Sequence, residues 1–398
     1  MSRSLSDDRF QYVCDHLDRY VGVGRIPCAA VLITHKGNDQ LFYATGYADQ
    51  ERKSKVSRDS IFRIYSMTKP ITSVALLKLY ERGHFQLDDP VAKHIPAWEN
   101  LRVYVSGEGD DMETTACDEP MTIKHLMTHT SGLTYGFMNN HPVDELYRKM
   151  RLENGEGQTL DSLINGLARV PLLFQPGTKW SYSIATDVLG YLVEHFSGQS
   201  FDEFLQEEIT GPLGMQDTGF SVPDDSTNRF TACYNHHPDG YRLQDDPINS
   251  RYLSHPTFLS GGGGLVSTID DYNAFAQNLL GHRQARVPPL LGAKTVEYMT
   301  SNHLPGNSDL AGMGQRVFSE TSFEGVGFGL SGSVVIDPPT SSVTDSVGCY
   351  GWGGAASTYF WNDPKEDITT VFMTQLLPSS TWPIRRELKV LVNQLLVD

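Results

Sequence analysis

Ser66-Met67-Thr68-Lys69-Pro70, followed by Val74, Leu77, Leu79 and Tyr80 at helical spacing, is the stretch from which the fold is read. A lysine three residues after a serine on a helix shares its face, one turn away. A serine hydroxyl becomes a nucleophile only when a neighbouring base takes its proton. No other Ser-x-x-Lys spacing occurs in the 398 residues. Pro70 would break a helix interior but is harmless in a first turn, where the backbone N–H groups have no intrahelical partner. Ser66 therefore belongs at the start of a helix over 66–82, stopped by Gly83. There the unpaired amides and the helix dipole favour a developing negative charge. A serine at this place also reads as an ordinary N-cap, and the motif alone leaves both uses open.

Outward from this helix, Phe10, Val13, Cys14, Leu17 and Val21 predict an amphipathic helix closed by Gly22 and Gly24. The β-rich runs 28–34 and 41–46, joined by Lys36-Gly37-Asn38-Asp39, predict an antiparallel hairpin. Between about 90 and 225 lie short helical candidates at 123–128, 160–168, 185–196 and 201–209, separated by Pro and Gly. Ser260 and the glycines Gly261–Gly264 lead into an expected capping box, Ser267 with Asp270, and a helix through Leu280. Strands are expected at 327–336, 343–350, 356–361 and 368–375, and a last helix at 383–397. This order predicts an α+β protein whose antiparallel sheet is flanked by helices and completed by both chain ends. Its parts are an α/β lobe from 1–90, an inserted mostly helical lobe from 91–225, and the rest of the α/β lobe from 226–398.

The chain carries 32 Lys+Arg against 48 Asp+Glu, a net charge of −16, with 39% hydrophobic residues. Its densest basic cluster is Arg385-Arg386 with Lys389. A nucleic-acid partner, held by cations on its phosphates, is not expected. The longest apolar run, Cys28 to Ile33, is six residues, far short of the ~20 of a spanning helix, so no membrane partner is expected either. Met1–Asp8 lacks a basic start and an apolar export stretch. The cysteines Cys14, Cys28, Cys117, Cys233 and Cys349 are odd in number and never form a CxxC pair. Reduced thiols and a cytoplasmic location are the expectation.

Two further stretches bear on chemistry. Tyr182, in Trp180-Ser181-Tyr182-Ser183-Ile184, follows the turn Phe174-Gln175-Pro176-Gly177 and precedes a helix, a place from which a tyrosine projects into a cleft or packs at an interface. Gly351-Trp352-Gly353-Gly354-Ala355 lies between expected strands, where glycines mark a closely approached backbone or a bulge. Three decoys compete. Gly327–Gly332 satisfies GxGxxG but is followed by a strand where a dinucleotide site needs a helix. No GxSxG occurs, which removes the usual α/β-hydrolase elbow. His125 and His129 are four apart, but no HExxH exists and a hydrogen-bonding role is expected for them.

Together Ser66-x-x-Lys69, Tyr182-Ser183-Ile184 and Trp352-Gly353-Gly354 resemble the three motifs of the serine β-lactamase and penicillin-binding-protein superfamily, and His129-Thr130-Ser131-Gly132-Leu133 is similar as well. The Tyr-Ser-x and Trp-Gly-Gly versions are most similar to the family VIII carboxylesterases, the esterase branch nearest the class C β-lactamases. The resemblance implies a β-lactamase/transpeptidase-like fold and an acyl-enzyme on Ser66, with Lys69 and Tyr182 handling protons. It also implies an oxyanion hole from the backbone N–H groups of Ser66 and Ala355. Class C enzymes carry Asn at the position of Ile184 and Lys-Thr-Gly at that of Trp352-Gly353-Gly354. Trp352 removes a cation and supplies an aromatic wall, so neutral short-acyl esters are expected to fit better than anionic β-lactams, with weak β-lactam turnover remaining. A β-lactamase, a D-aminopeptidase, an acyltransferase of the same superfamily and an inactive scaffold stay open. Which of Lys69 and Tyr182 deprotonates Ser66 is open too. Gly353, Gly354, Tyr135 and Phe137 are expected to wall the substrate pocket together with Trp352. No metal or organic cofactor is implied, and the expected partner is a small-molecule ester.

Overall fold

The computed structural model describes residues 3–153, 157–282, 287–314 and 323–397. In it the expected hairpin forms strands β1 (Cys28–His35) and β2 (Asn38–Asp49). Lys36 and Gly37 close it with φ of 52° and 74°, a turn in which both central residues are left-handed and whose twist matches that of the strands. A short strand, β3 (Ser54–Lys55), extends this edge. The C-terminal part supplies β4 (Val326–Phe328), β5 (Ser333–Val335), β6 (Tyr350–Gly353), β7 (Tyr359–Asp363) and β8 (Ile368–Met373). They assemble in the order β4-β5-β6-β7-β8-β1-β2-β3, and every pair is antiparallel. β8 pairs with β1 in the register Val371 to Leu32, so both chain ends complete one sheet.

Every residue of β1 is buried, because the sheet is covered on both faces. Ala29, Val31 and Ile33 pack with residues of the terminal helices α1 (Phe10–Gly22) and α5 (Ile384–Asn393). Ala30 and Leu32 belong to the opposite core, with α2 (Thr68–Glu81), α3 (Ala185–Ser197) and α4 (Ile269–Leu280). Phe372 and Leu388 are fully buried across the α5 face, and cutting either to alanine would destabilise by about 2–5 kcal/mol. α2 has buried residues on all sides and packs against α3, the principal helix of the helical part. A helix hydrophobic all round is a core helix, and here it anchors Ser66. Among the described residues no helix is long and apolar enough to cross a membrane.

The structure corrects several expected boundaries. The strand expected at 327–336 is two strands, β4 and β5, because the chain reverses at Gly329–Gly332, where the Gly329 N–H donates to the Gly332 carbonyl at 2.8 Å. The GxGxxG run is thus a hairpin. The strand expected at 343–350 starts only at Tyr350, after Gly348 in the left-handed region with φ of 88°. α4 is capped by Thr268, which accepts the Asp271 N–H, one residue later than the expected Ser267. Ser267 instead pairs with Phe62 in a two-residue strand.

Candidate active site

Ser66 sits in the 3-10 turn Tyr65–Met67 that feeds directly into α2, and Pro70 is the third residue of that helix. Tyr65 has a φ of 43°, a left-handed conformation of the kind that costs a non-glycine residue about 1–3 kcal/mol and is concentrated at functional sites. The Ser66 side chain caps nothing, since neither the turn nor α2 has a side-chain N-cap bond. Its Oγ instead meets the Tyr182 hydroxyl at 2.7 Å and the Lys69 ammonium at 3.4 Å.

Lys69 is only 3% exposed. Its Nζ donates to the Gly262 carbonyl at 2.6 Å and to the Tyr135 hydroxyl at 3.0 Å, and lies 4.6 Å from the centre of the Tyr182 ring. Behind it is Asp187 in the first turn of α3, whose Oδ1 accepts from Ser260 Oγ at 2.6 Å and the Gly262 N–H at 3.1 Å. Burial pushes the Asp187 carboxyl up, and the Lys69 charge pulls it back. Burial also pushes the Tyr135 phenol well above its usual value, with Asp187 adding to the shift. His129 is held well below the usual histidine value by burial and the Lys69 charge. As a neutral ring it hydrogen-bonds Ser183 at 3.0 Å. His125 instead closes the capping box of the helix Ile123–Met127. A Cβ at Gly262 would stand 2.5 Å from Asp187 Oδ2 and 2.9 Å from Tyr135 Oη. Glycine there lets the carbonyl reach Lys69.

Trp352 lies in β6 with its Nε1 3.4 Å from Tyr182 Oη and its ring 5.3 Å from that of Phe328. Ala355 follows the end of β6, and neither its N–H nor that of Ser66 has an acceptor among the described residues. Gly354 presses against the turn before Ser66, so that a Cβ on it would stand 2.4 Å from the Ile64 carbonyl oxygen and 2.3 Å from Thr358 Oγ1. Serine hydroxyl, ammonium, phenol and two unengaged amides thus converge on one side of a cavity of about 320 Å³. The Beta-lactamase family model matches residues 14–394. The chain belongs to the Beta-lactamase family.

This Beta-lactamase family chain is 34% identical to Protein Rv1367c of Mycobacterium tuberculosis over 337 residues, which cover 84% of this chain and 82% of that one. It is 29% identical to Esterase EstB of Burkholderia gladioli over 369 residues, covering 88% and 86% respectively. Among solved structures it is similar to EstCE1, a hydrolase with promiscuous acyltransferase activity, with a TM-score of 0.78 and 26% identity over 96% of this chain and 98% of that one. Its fold is accordingly the β-lactamase/transpeptidase-like one, and the chain is related to serine hydrolases and acyl-transferring enzymes.

Within this family frame, Ser66, Tyr182, Trp352, Gly353, Gly354, Ala355 and Phe137 all line the cavity. Phe137 is 53% exposed at its mouth. Tyr135 corrects an expectation. It is not a wall residue, because it lies beneath Phe137, stacked on it at 4.6 Å, and turns its hydroxyl to Lys69. Sequence reading did not single out Asp187 or the particular role of Gly262. The one available signal was four consecutive glycines where a single turn needs fewer. The basic cluster of α5, Arg385, Arg386 and Lys389, also lines the cavity.

Proposed function

We propose that this chain is a serine carboxylesterase that hydrolyses short-acyl carboxylic esters through an acyl-enzyme on Ser66. The observation that carries the reading is the 2.7 Å contact of Tyr182 with Ser66 Oγ beside a buried Lys69. Acylation uses the state of the Lys69–Tyr182 pair that lacks one proton, a lysine amine or a tyrosine phenolate: Ser66 Oγ attacks the ester carbonyl carbon and its proton passes to that pair, which acts as one coupled unit. The carbonyl electron pair moves onto oxygen, where the N–H groups of Ser66 and Ala355 receive the charge. Collapse of this intermediate breaks the bond to the alkoxide, which leaves with the proton. Water then attacks the acyl carbon while Tyr182 takes its proton; the bond from the acyl carbon to Ser66 Oγ breaks, the carboxylic acid leaves, and Ser66 takes up the proton.

Trp352 is 5% exposed and makes the cavity wall beside Ser66 aromatic, which favours small neutral acyl groups over β-lactams. The five cysteines all carry free thiols, which fits a reducing compartment such as the cytoplasm. A second reading, transfer of the acyl group to an alcohol in place of water, is favoured by the likeness to EstCE1. A p-nitrophenyl butyrate assay with mass spectrometry after a fluorophosphonate probe tests both. Label on Ser66, and loss of label and turnover in Ser66→Ala, are the expected results. Label on another serine, or full activity in that variant, overturns the reading. A chromogenic cephalosporin should turn over far more slowly than the butyrate ester, and the reverse ranking favours a β-lactamase. If butanol diverts most of the acyl group to butyl butyrate at low concentration, the transferase reading prevails.

A further inference from the structure

The basic cluster of α5 lines the catalytic cavity, yet the mechanism above uses none of it. Lys389 is neutralised by Asp345 at 2.5 Å, and Arg386 donates to the Ser342 carbonyl at 3.0 Å. Arg385 is placed differently. The residue is 9% exposed and its guanidinium lies against Gly353, where a Cβ would stand 2.8 Å from the guanidinium carbon. From there its Nη2 donates to the carbonyl of Gly354. That carbonyl and the Ala355 N–H are the two ends of one planar, conjugated peptide group. A cation bonded to the oxygen end fixes the plane of the group and draws electron density from its nitrogen end, which strengthens the N–H as a donor.

We propose that Arg385 is the positioning residue of the oxyanion hole: by holding the Gly354 carbonyl it orients and polarises the peptide whose N–H is the Ala355 donor. The proposal rests on the acyl-enzyme reading of Ser66. Two features make it more than packing. Gly353 has no side chain to keep the guanidinium from the backbone, and Arg385 lines the same cavity as Ser66 and Ala355. The Ser357 N–H also donates to the Gly354 carbonyl, at 3.1 Å. The turn therefore keeps one restraint when Arg385 is replaced, and the variants are expected to fold.

The test compares Arg385→Met, Arg385→Gln and Arg385→Lys with the parent protein in ester hydrolysis, in inhibition by a boronic acid, and in the rate of Ser66 labelling by a fluorophosphonate. Losing an oxyanion donor outright lowers kcat about 100- to 1,000-fold. Weakening one through its carbonyl should lower kcat about 10- to 100-fold in Arg385→Met, with KM within about twofold. The boronic acid, which places an oxyanion in the hole, should lose affinity by the same factor. Gln and Lys, each keeping a donor, should fall between, and guanidinium ion at low, non-denaturing concentration should partly restore Arg385→Met. A folded Arg385→Met with parental kcat, or with a loss in KM alone, overturns the proposal. If the parent labels at Ser66 but hydrolyses no ester, the esterase reading fails while the labelling rates still decide the role of Arg385. Absence of labelling in the parent overturns both.

Discussion

Replacing Gly354 by alanine should disable the oxyanion hole while leaving the nucleophile intact. The backbone at Gly354 lies outside the left-handed region, so only space opposes a side chain there. The added carbon would stand 2.4 Å from the Ile64 carbonyl oxygen and 2.3 Å from Thr358 Oγ1, where ordinary contact begins at 3.4 Å. About 1 Å must therefore open between the end of β6 and the turn that carries Ser66, and a misplacement of this size costs on the order of 100-fold in rate. The two candidate oxyanion donors, the N–H groups of Ala355 and Ser66, sit on opposite sides of that gap. Since such donors work only within about 2.7–3.1 Å of the oxyanion, kcat should fall about 100- to 1,000-fold, equivalent to roughly 3–4 kcal/mol of transition-state stabilisation. Overpacking itself should lower stability by about 1–3 kcal/mol, so urea melts must accompany the p-nitrophenyl butyrate kinetics. Adding Thr358→Ala should restore little, because the Ile64 carbonyl belongs to the backbone and cannot rotate away. A folded Gly354→Ala enzyme with kcat within threefold of the parent would refute the placement of the hole between these two segments.

Tyr182→Phe removes the hydroxyl 2.7 Å from Ser66 Oγ and should lower kcat about 100- to 10,000-fold at nearly constant KM; steady-state kinetics showing less than a tenfold loss would leave Lys69 as the sole base. Asp187→Ala strips the acceptor from Ser260 Oγ and the Gly262 N–H, each buried donor left unpaired costing about 1–3 kcal/mol, so urea unfolding should show a clear loss of stability together with a fall in kcat. Glu153, next to Gly136, is pushed up from 4.5 to about 7, chiefly by burial, with Asp187 and Asp144 adding to the shift. Because the folded value is the higher one, its contribution to stability is full below pH 4.5 and is lost as pH rises through 7, by about 3 kcal/mol in all. Glu153→Gln should therefore be more stable than the parent at pH 8 but not at pH 4, and parallel urea curves at the two pH values would reject this assignment.

The parts of this molecule that could be read from sequence are those whose cause is local. The β-rich run from Cys28 with a Lys-Gly turn after it reads as the first strand of an antiparallel hairpin, and that hairpin forms. Ser66 and Lys69 are related by a single helical turn, and Pro70 fixes where that turn lies. Nothing in a Pro-Gly turn says which cleft the next tyrosine enters, so the role of Tyr182 is legible only in the resemblance of its motif to a family. The remaining site residues act through bonds between distant segments: Lys69 with Gly262, Asp187 with Gly262, Arg385 with Gly354. Each uses a backbone atom on one side, and a backbone atom leaves no mark in composition or spacing. Glycines are the only trace, since Gly262 and Gly354 are places where a Cβ would fall inside contact distance.

The basic cluster shows the same blindness from the other direction. In a chain of net charge −16, Arg385, Arg386 and Lys389 are the densest basic cluster, and the sequence weighs them only against nucleic-acid binding. α5 instead turns all three toward the cavity. Net charge sets the far field, which screening confines to about 8–10 Å in salt, whereas an oxyanion responds to charges a few ångströms away in a partly dry cleft. An acidic protein can therefore bring cations to a cavity, here partly offset by Asp345 and Glu324 on the same lining, and which cations reach it depends on the face of α5 that meets the sheet.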